Sequence, residues 1–133
     1  MPEFSGLSHV SLSVRDRDTS RDWYERILGF QMIEESLEEA YVEWILLHAD
    51  NRTIVCLQQH KANKGEPFDP TRTGGDHIGF KVDSRAELDE WTAWFTENDV
   101  VHSPIADRPY GSVLCFKDPD GFQLEMFYRE NHP

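Results

Sequence analysis

The chain has no long apolar run, few cysteines and few basic residues. No stretch approaches the ~18 consecutive apolar residues of a membrane-spanning helix, so no membrane partner is expected. The two cysteines, Cys56 and Cys115, both lie in apolar, strand-like runs. They are expected to be reduced and buried rather than to form a disulfide framework. Lys and Arg number 13 against 25 Asp and Glu, for a formal net charge of −12. That balance excludes the basic surface on which nucleic-acid binding depends. The opening residues MPEFSGLSHV carry neither the basic region nor the apolar core of a secretory signal, and a cytoplasmic location is expected.

What is present is enough for a packed core. The 133 residues suit one domain spanning 1–133. The composition is 38% hydrophobic, with 8 Phe, 4 Tyr and 4 Trp, which places the chain among globular rather than disordered sequences.

The chain also repeats itself. SHVSLSV (Ser8 to Val14) and DHIGFKV (Asp76 to Val82) each carry a His in second place, followed by alternating residues. Sliding the first half along the second brings His9 onto His77, Val10 onto Ile78, Leu12 onto Phe80 and Val14 onto Val82. Trp23 then meets Trp91 and Ile27 meets Phe95. One residue further along, Val55 meets Leu124, Leu57 meets Met126, and the turn HADNRT meets KDPDGF. An internal repeat of this kind sets the architecture.

Each module reads as a strand, a helix and three more strands. Val10, Leu12 and Val14 share one strand face, and His9, Ser11 and Ser13 the other. The first helix is expected to start near Asp18 and stop at Gly29, with Trp23, Ile27 and Leu28 as its apolar stripe. Strands are expected at Gln31 to Glu35, Tyr41 to His48 and Thr53 to Gln59. In the second module Ser84 and Glu87 form a capping box, and Leu88, Trp91 and Phe95 recur at helical spacing. Strands are expected at Val100 to Ser103, Ser112 to Lys117 and Phe122 to Tyr128, with DPDG at Asp118 to Gly121 as a hairpin turn. The polar, Gly- and Pro-containing stretch 60–75 reads as a linker between module one (about 7–59) and module two (about 76–128). The fold class is therefore α+β: two βαβββ modules pairing into a cup-shaped, partly open β-barrel with helices outside.

The faces opposite the helices carry the chemistry. In FQLEMFY, Leu124 and Met126 share the helix-facing parity, which leaves Glu125 on the face of His77. A carboxylate turned into a cup is costly unless it is paired or bound to a cation. Two imidazoles and a carboxylate from His9, His77 and Glu125 make a 2-His-1-carboxylate set with open positions, suited to Fe(II) and also to Mn, Ni, Co or Zn. From residues alone a second reading stands beside it: structural histidines and a solvent-facing Glu.

The segments Leu7 to Phe30 and Asp76 to Phe127 resemble the vicinal oxygen chelate superfamily, which groups glyoxalase I, extradiol dioxygenases, fosfomycin-resistance enzymes, methylmalonyl-CoA epimerases and bleomycin-resistance proteins. The resemblance implies metal ligands on the first and last strands of each module: His9, His77 and Glu125. At the end of module one, glyoxalase I needs a Glu or Gln. Here the turn-based alignment gives Cys56, and Gln58 has the same parity; these are the possible fourth ligands, with His60 a weaker one. The departure counts against glyoxalase I and the epimerase, and fits the members with three protein ligands.

The resemblance further implies a divalent metal, with Fe(II) the first choice and Mn, Ni or Zn next. A small oxygenated substrate would chelate it through neighbouring oxygens in a dioxygenase-like reaction. The alternatives are a glyoxalase-type lyase or isomerase, an antibiotic-modifying transferase, and a metal-free drug-binding resistance protein. Tyr110, in ADRPYGS, is placed to bond a substrate oxygen. Glu125 and Tyr110 are the catalytic candidates. Arg108 and Lys81 are thin evidence for anion steering. His102 is read as solvent-exposed, the hairpin from Glu34 to Glu43 as a solvated turn, and Trp44 with Phe127 as an apolar wall, Trp44 and Trp94 alternatively packing in the core or an interface. A homodimer is expected, its cup formed within one chain or by swapping across two.

Overall fold

A computed structural model describes residues 1–132. The chain divides into two compact units, Met1–Pro67 and Phe68 to the C-terminus.

In the first unit β1 (Val10–Ser13) leads into α1 (Arg17–Leu28), β2 (Gln31–Leu37), β3 (Tyr41–Leu47) and β4 (Ile54–His60). The sheet order is β1-β4-β3-β2, with β1 parallel to β4 and the other pairs antiparallel. Helix α1 starts where Asp16, in an extended conformation, accepts the Thr19 N–H at 2.8 Å. This satisfies one of the helix's orphan donors. It stops at Gly29, whose φ of 74° lies in the left-handed region that favours glycine. Its buried face is Ser20, Tyr24, Ile27 and Leu28. The aromatic at the centre of that face is therefore Tyr24, with Trp23 half-buried beside it at 5.1 Å between ring centroids. The sheet meets the helix with Leu12, Leu46, Val55 and Leu57.

The second unit repeats the pattern: β5 (His77–Lys81), α2 (Arg85–Glu97), β6 (Ala106–Arg108), β7 (Gly111–Lys117) and β8 (Gln123–Tyr128), in the order β5-β8-β7-β6. Ser84 and Glu87 do pair at the helix start: the Glu87 N–H donates to Ser84 Oγ at 3.2 Å, while the Glu87 carboxylate accepts the Ser84 hydroxyl at 3.1 Å and, one residue before the cap, the Asp83 N–H at 3.1 Å. In the DPDG turn, Asp118 Oδ1 accepts the N–H groups of Asp120 and Phe122, both at 2.9 Å. Leu88 and Phe95 of the helix pack on Leu114, Phe116, Leu124 and Met126. Removing each such side chain from water contributes about 1.5–3 kcal/mol.

The α+β class and the two βαβββ modules stand. One strand moves. The segment expected as a strand at Val100 to Ser103 keeps only a bridge, His102 to Phe116, and the strand after α2 is instead β6 at Ala106–Arg108. Ser103 donates to the Cys115 carbonyl at 2.8 Å, but the next residue, Pro104, has no N–H to continue the ladder. Among the described residues no helix is long and apolar enough to cross a membrane.

Candidate functional site

The strand registers put the site residues on a common footing. In the second unit Gly79 of β5 lies opposite Glu125 of β8. In the first unit Ser11 of β1 lies opposite Cys56 of β4. Ser11 follows His9 as Gly79 follows His77, so Cys56 is the counterpart of Glu125.

His77 and Glu125 project from adjacent parallel strands on the face away from α2. His77 Nε2 stands 3.8 Å from Glu125 Oε2. The other ring nitrogen, Nδ1, is 2.7 Å from Asp76 Oδ1. A carboxylate at Nδ1 fixes the proton there in the neutral imidazole and turns the Nε2 lone pair toward Glu125. The Asp76 hydrogen bond, aided by the charge of Glu125, holds the His77 pKa above its ordinary value. Nε2 and Oε2 thus face each other across 3.8 Å, and both are electron-pair donors in the neutral form of the ring. An imidazole and a carboxylate are the donor types that a divalent transition metal would take, and His77 and Glu125 are the residues that would hold it here.

Glu125 uses its two oxygens differently. Oε1 accepts from Gln123 Nε2 at 3.0 Å and from Cys115 Sγ at 3.4 Å. Burial first, then the charge of Glu125, raises the Cys115 pKa, so this residue stands as a thiol. Cys115, expected to be buried, is half-buried, and neither it nor Gln123 stands among the residues expected at the site. The signal was available, since Gln123 shares the parity of Glu125 and Cys115 is its partner across the DPDG hairpin.

Above this pair opens a cavity of about 500 Å³ lined by His77, Gly79, Lys81, Tyr110, Val113, Glu125, Phe127 and His132. Tyr110 sits on its rim, 59% exposed. Gly79 leaves space between His77 and Lys81: a Cβ there would meet nothing within 4 Å. Lys81 Nζ pairs with Asp83 at 3.1 Å. Arg108, on β6, is exposed outside this lining.

The first unit holds the remaining candidates. His9 precedes β1, is exposed, and has Nδ1 3.2 Å from Ser8 Oγ. Cys56 is buried, and burial, followed by the charge of Glu43, pushes its thiol pKa up. Gln58 is half-buried and pairs in register with Glu43 and Ser13. His60 lies against the Tyr41 ring with centroids 5.5 Å apart. Among the described residues no three His, Cys, Asp or Glu side chains are gathered as a metal site; the converging pair is His77 and Glu125.

Three secondary readings change. Glu43 does not belong to a solvated turn: it is 8% exposed and accepts from Ser11 Oγ at 3.3 Å. His102 is half-buried, with Nε2 3.1 Å from Thr96 Oγ1 and Nδ1 2.9 Å from the Ser103 carbonyl. Trp44 turns to the helix side, where Nε1 donates to Asp18 at 2.7 Å and Arg17 lies 4.2 Å above its ring. Phe127 alone of the expected apolar wall lines the cavity.

Comparison with known proteins gives the same picture. Residues 6–126 match the model of the Glyoxalase/Bleomycin resistance protein/Dioxygenase superfamily. The crystal structure of a glyoxylase/bleomycin resistance protein/dioxygenase domain from Frankia sp. EAN1pec is similar, with a TM-score of 0.89 and 30% identity over 96% of this chain and 100% of that one. The metallothiol transferase FosB of Staphylococcus epidermidis is 27% identical over 93% of this chain and 82% of its own length. MhqA of Bacillus subtilis (strain 168), whose ring-cleaving dioxygenase activity is an inferred one, is 26% identical over 92% of this chain, which spans only 40% of that protein. Register, paired modules and the match over most of the chain agree: the chain belongs to the Glyoxalase/Bleomycin resistance protein/Dioxygenase superfamily, the vicinal oxygen chelate group.

Proposed function

We propose that the chain is a metal-dependent enzyme that holds one divalent ion through His9, His77 and Glu125 and acts on a small substrate bearing neighbouring oxygens. The approach of His77 Nε2 to Glu125 Oε2 at 3.8 Å carries this reading. When bound, the ion supplies Lewis-acid polarisation of the chelated substrate oxygens. The chain's own residues do the rest. Asp76 orients His77 and keeps its proton on Nδ1. Tyr110 reaches over the rim to hydrogen-bond a substrate oxygen. Val113 and Phe127 present an apolar wall that limits water and strengthens electrostatic contacts inside. Cys56, the register counterpart of Glu125 in the first unit, is read as a filler rather than a fourth ligand, and Gln58 is the other group of that parity. A set of three protein ligands favours a dioxygenase-like reaction on a catechol-type vicinal diol with Fe(II).

A second reading, transfer of a thiol to an antibiotic of the fosfomycin kind with Mn, Ni or Zn, is favoured by one observation: Lys81 places a cation in the cavity lining, as an anionic substrate requires. The similarity to FosB supports it. The test is metal content and turnover together. Protein purified anaerobically without chelators is expected to carry close to one metal per chain and to lose it in His77→Ala. Iron, with consumption of O2 on catechols, selects the first reading. Manganese, nickel or zinc, with thiol-dependent loss of fosfomycin, selects the second. No metal, even after Fe, Mn, Ni and Zn are added back, refutes both and leaves ligand sequestration.

A further inference from the structure

We infer that Gln123 and Cys115 are positioning residues that hold Glu125 Oε1, so that the carboxylate meets its ion through Oε2 alone. The inference rests on the metal site proposed above and assigns work to two residues outside the ligand set.

Among the described residues, the hydrogen bonds to this carboxylate all end on Oε1: Gln123 Nε2 at 3.0 Å and Cys115 Sγ at 3.4 Å. Oε2 is the oxygen that faces His77 Nε2 at 3.8 Å. Both donors are built into the sheet. Gln123 precedes Glu125 by one pleat on β8, on the same face, and Cys115 is its cross-strand partner on β7. Cys115 is itself held from the far side, its N–H donating to Ser103 Oγ at 3.1 Å and its carbonyl accepting the Ser103 N–H at 2.8 Å. A carboxylate beside it leaves the Gln123 amide one sensible orientation, NH2 toward Oε1.

With only 17% of the Glu125 side chain exposed, rotation about its terminal bond would break both hydrogen bonds and leave the donors unpaired. The carboxylate plane is therefore set before an ion arrives. Outer partners of this kind sharpen metal affinity by orienting a ligand that would otherwise have to be ordered on binding.

The experiment titrates Mn(II) into metal-free full-length chain by calorimetry, in wild type, Gln123→Met, Cys115→Ala and Cys115→Ser. The carboxylate stretches of the loaded proteins are read by infrared difference spectroscopy. Gln123→Met and Cys115→Ala are expected to weaken Mn(II) binding, the pair together by about 10- to 100-fold. Cys115→Ser keeps a donor and is expected to restore most of the affinity. The wild-type spectrum is expected to show the wide stretch separation of a one-oxygen ligand, narrowing in Gln123→Met. Unchanged affinity and spectrum in folded Gln123→Met and Cys115→Ala overturn the inference while the metal site stands. Loss of affinity in Cys115→Ser equal to that in Cys115→Ala also overturns it, since only bulk would then matter. Failure of wild type to bind Mn(II), Fe(II) or Zn(II) overturns the metal site itself.

Discussion

His77 sits between two carboxylates with unequal jobs. Asp76 takes Nδ1 at 2.7 Å, and Glu125 stands 3.8 Å from Nε2. The hydrogen bond to Asp76 is the larger cause of its raised pKa and the Glu125 charge the lesser. Both favour the protonated ring. The sign follows: the stabilisation from these contacts is fully present below the unfolded-state value of about 6.5 and is lost as pH rises through the raised folded-state value. The side chain is 45% exposed, so solvent screens much of this. In metal-free protein, an NMR titration is expected to give His77 a midpoint above 6.5, with Asp76→Asn moving it down further than Glu125→Gln does. The reverse ranking would refute the assignment of Nδ1 to Asp76. This level of detail was only partly legible beforehand. Strand parity alone put His77 and Glu125 on one face. Nothing in parity says which ring nitrogen Asp76 takes, or that Gln123 and Cys115 share one oxygen of Glu125, because those depend on side-chain torsions.

At the scale of elements, local chemistry wrote most of what could be read. Asp16 as cap, Gly29 as stop, the Ser84–Glu87 pair and the Asp118 turn are short-range devices, and each is visible in a few consecutive residues. The strand after α2 was misplaced because its ladder is broken by Pro104, and the bonds of Val101 and Ser103 to β7 resemble those of a strand. The choice of Tyr24 over Trp23 for the core was missed because one step of helical phase separates them. The acidic hairpin misled for another reason: Glu43 lies on the half-buried face of β3, paired with Gln58.

Two glycines test how tightly the second sheet is built. At Gly111, with φ of 148°, a Cβ would lie 2.5 Å from the Tyr128 carbonyl oxygen and 2.8 Å from Phe127 Cζ. Gly111→Ala is expected to cost about 3 kcal/mol in urea denaturation, from backbone strain and overpacking together. At Gly79 a Cβ meets nothing within 4 Å. Gly79→Ala is expected to fold with stability within about 1 kcal/mol of wild type, since strand glycine is entropically costly. Its effect should fall on ligand binding, because the methyl group enters the cavity between His77 and Lys81. Equal destabilisation by the two would contradict the packing described.

For the molecule as a whole, the repeat is what made the fold readable, and it is also what separates the fold from the activity. Both units use the same βαβββ plan, down to equivalent registers at Ser11–Cys56 and Gly79–Glu125. The polar faces have nonetheless diverged: the second unit carries a His–Glu pair, the first a His and a buried thiol. A fold held in common by dioxygenases and thiol transferases cannot choose between them, so the whole-molecule prediction concerns the ion rather than the substrate. An ion that binds only the folded state stabilises it by about 2.7 kcal/mol at a hundredfold excess over Kd. For a chain of 133 residues that is a rise of several degrees, at about 2–8 °C per kcal/mol. Differential scanning calorimetry with Mn(II) or anaerobic Fe(II) is expected to show this rise in wild type and to lose it in His9→Ala, His77→Ala and Glu125→Ala, while Cys56→Ala and His60→Ala keep it. Retention of the full rise in His9→Ala would remove the first unit from the ligand set. Loss in Cys56→Ala would make the thiol a fourth ligand and reopen the isomerase reading, because a filled fourth position leaves less room for both a chelating substrate and O2.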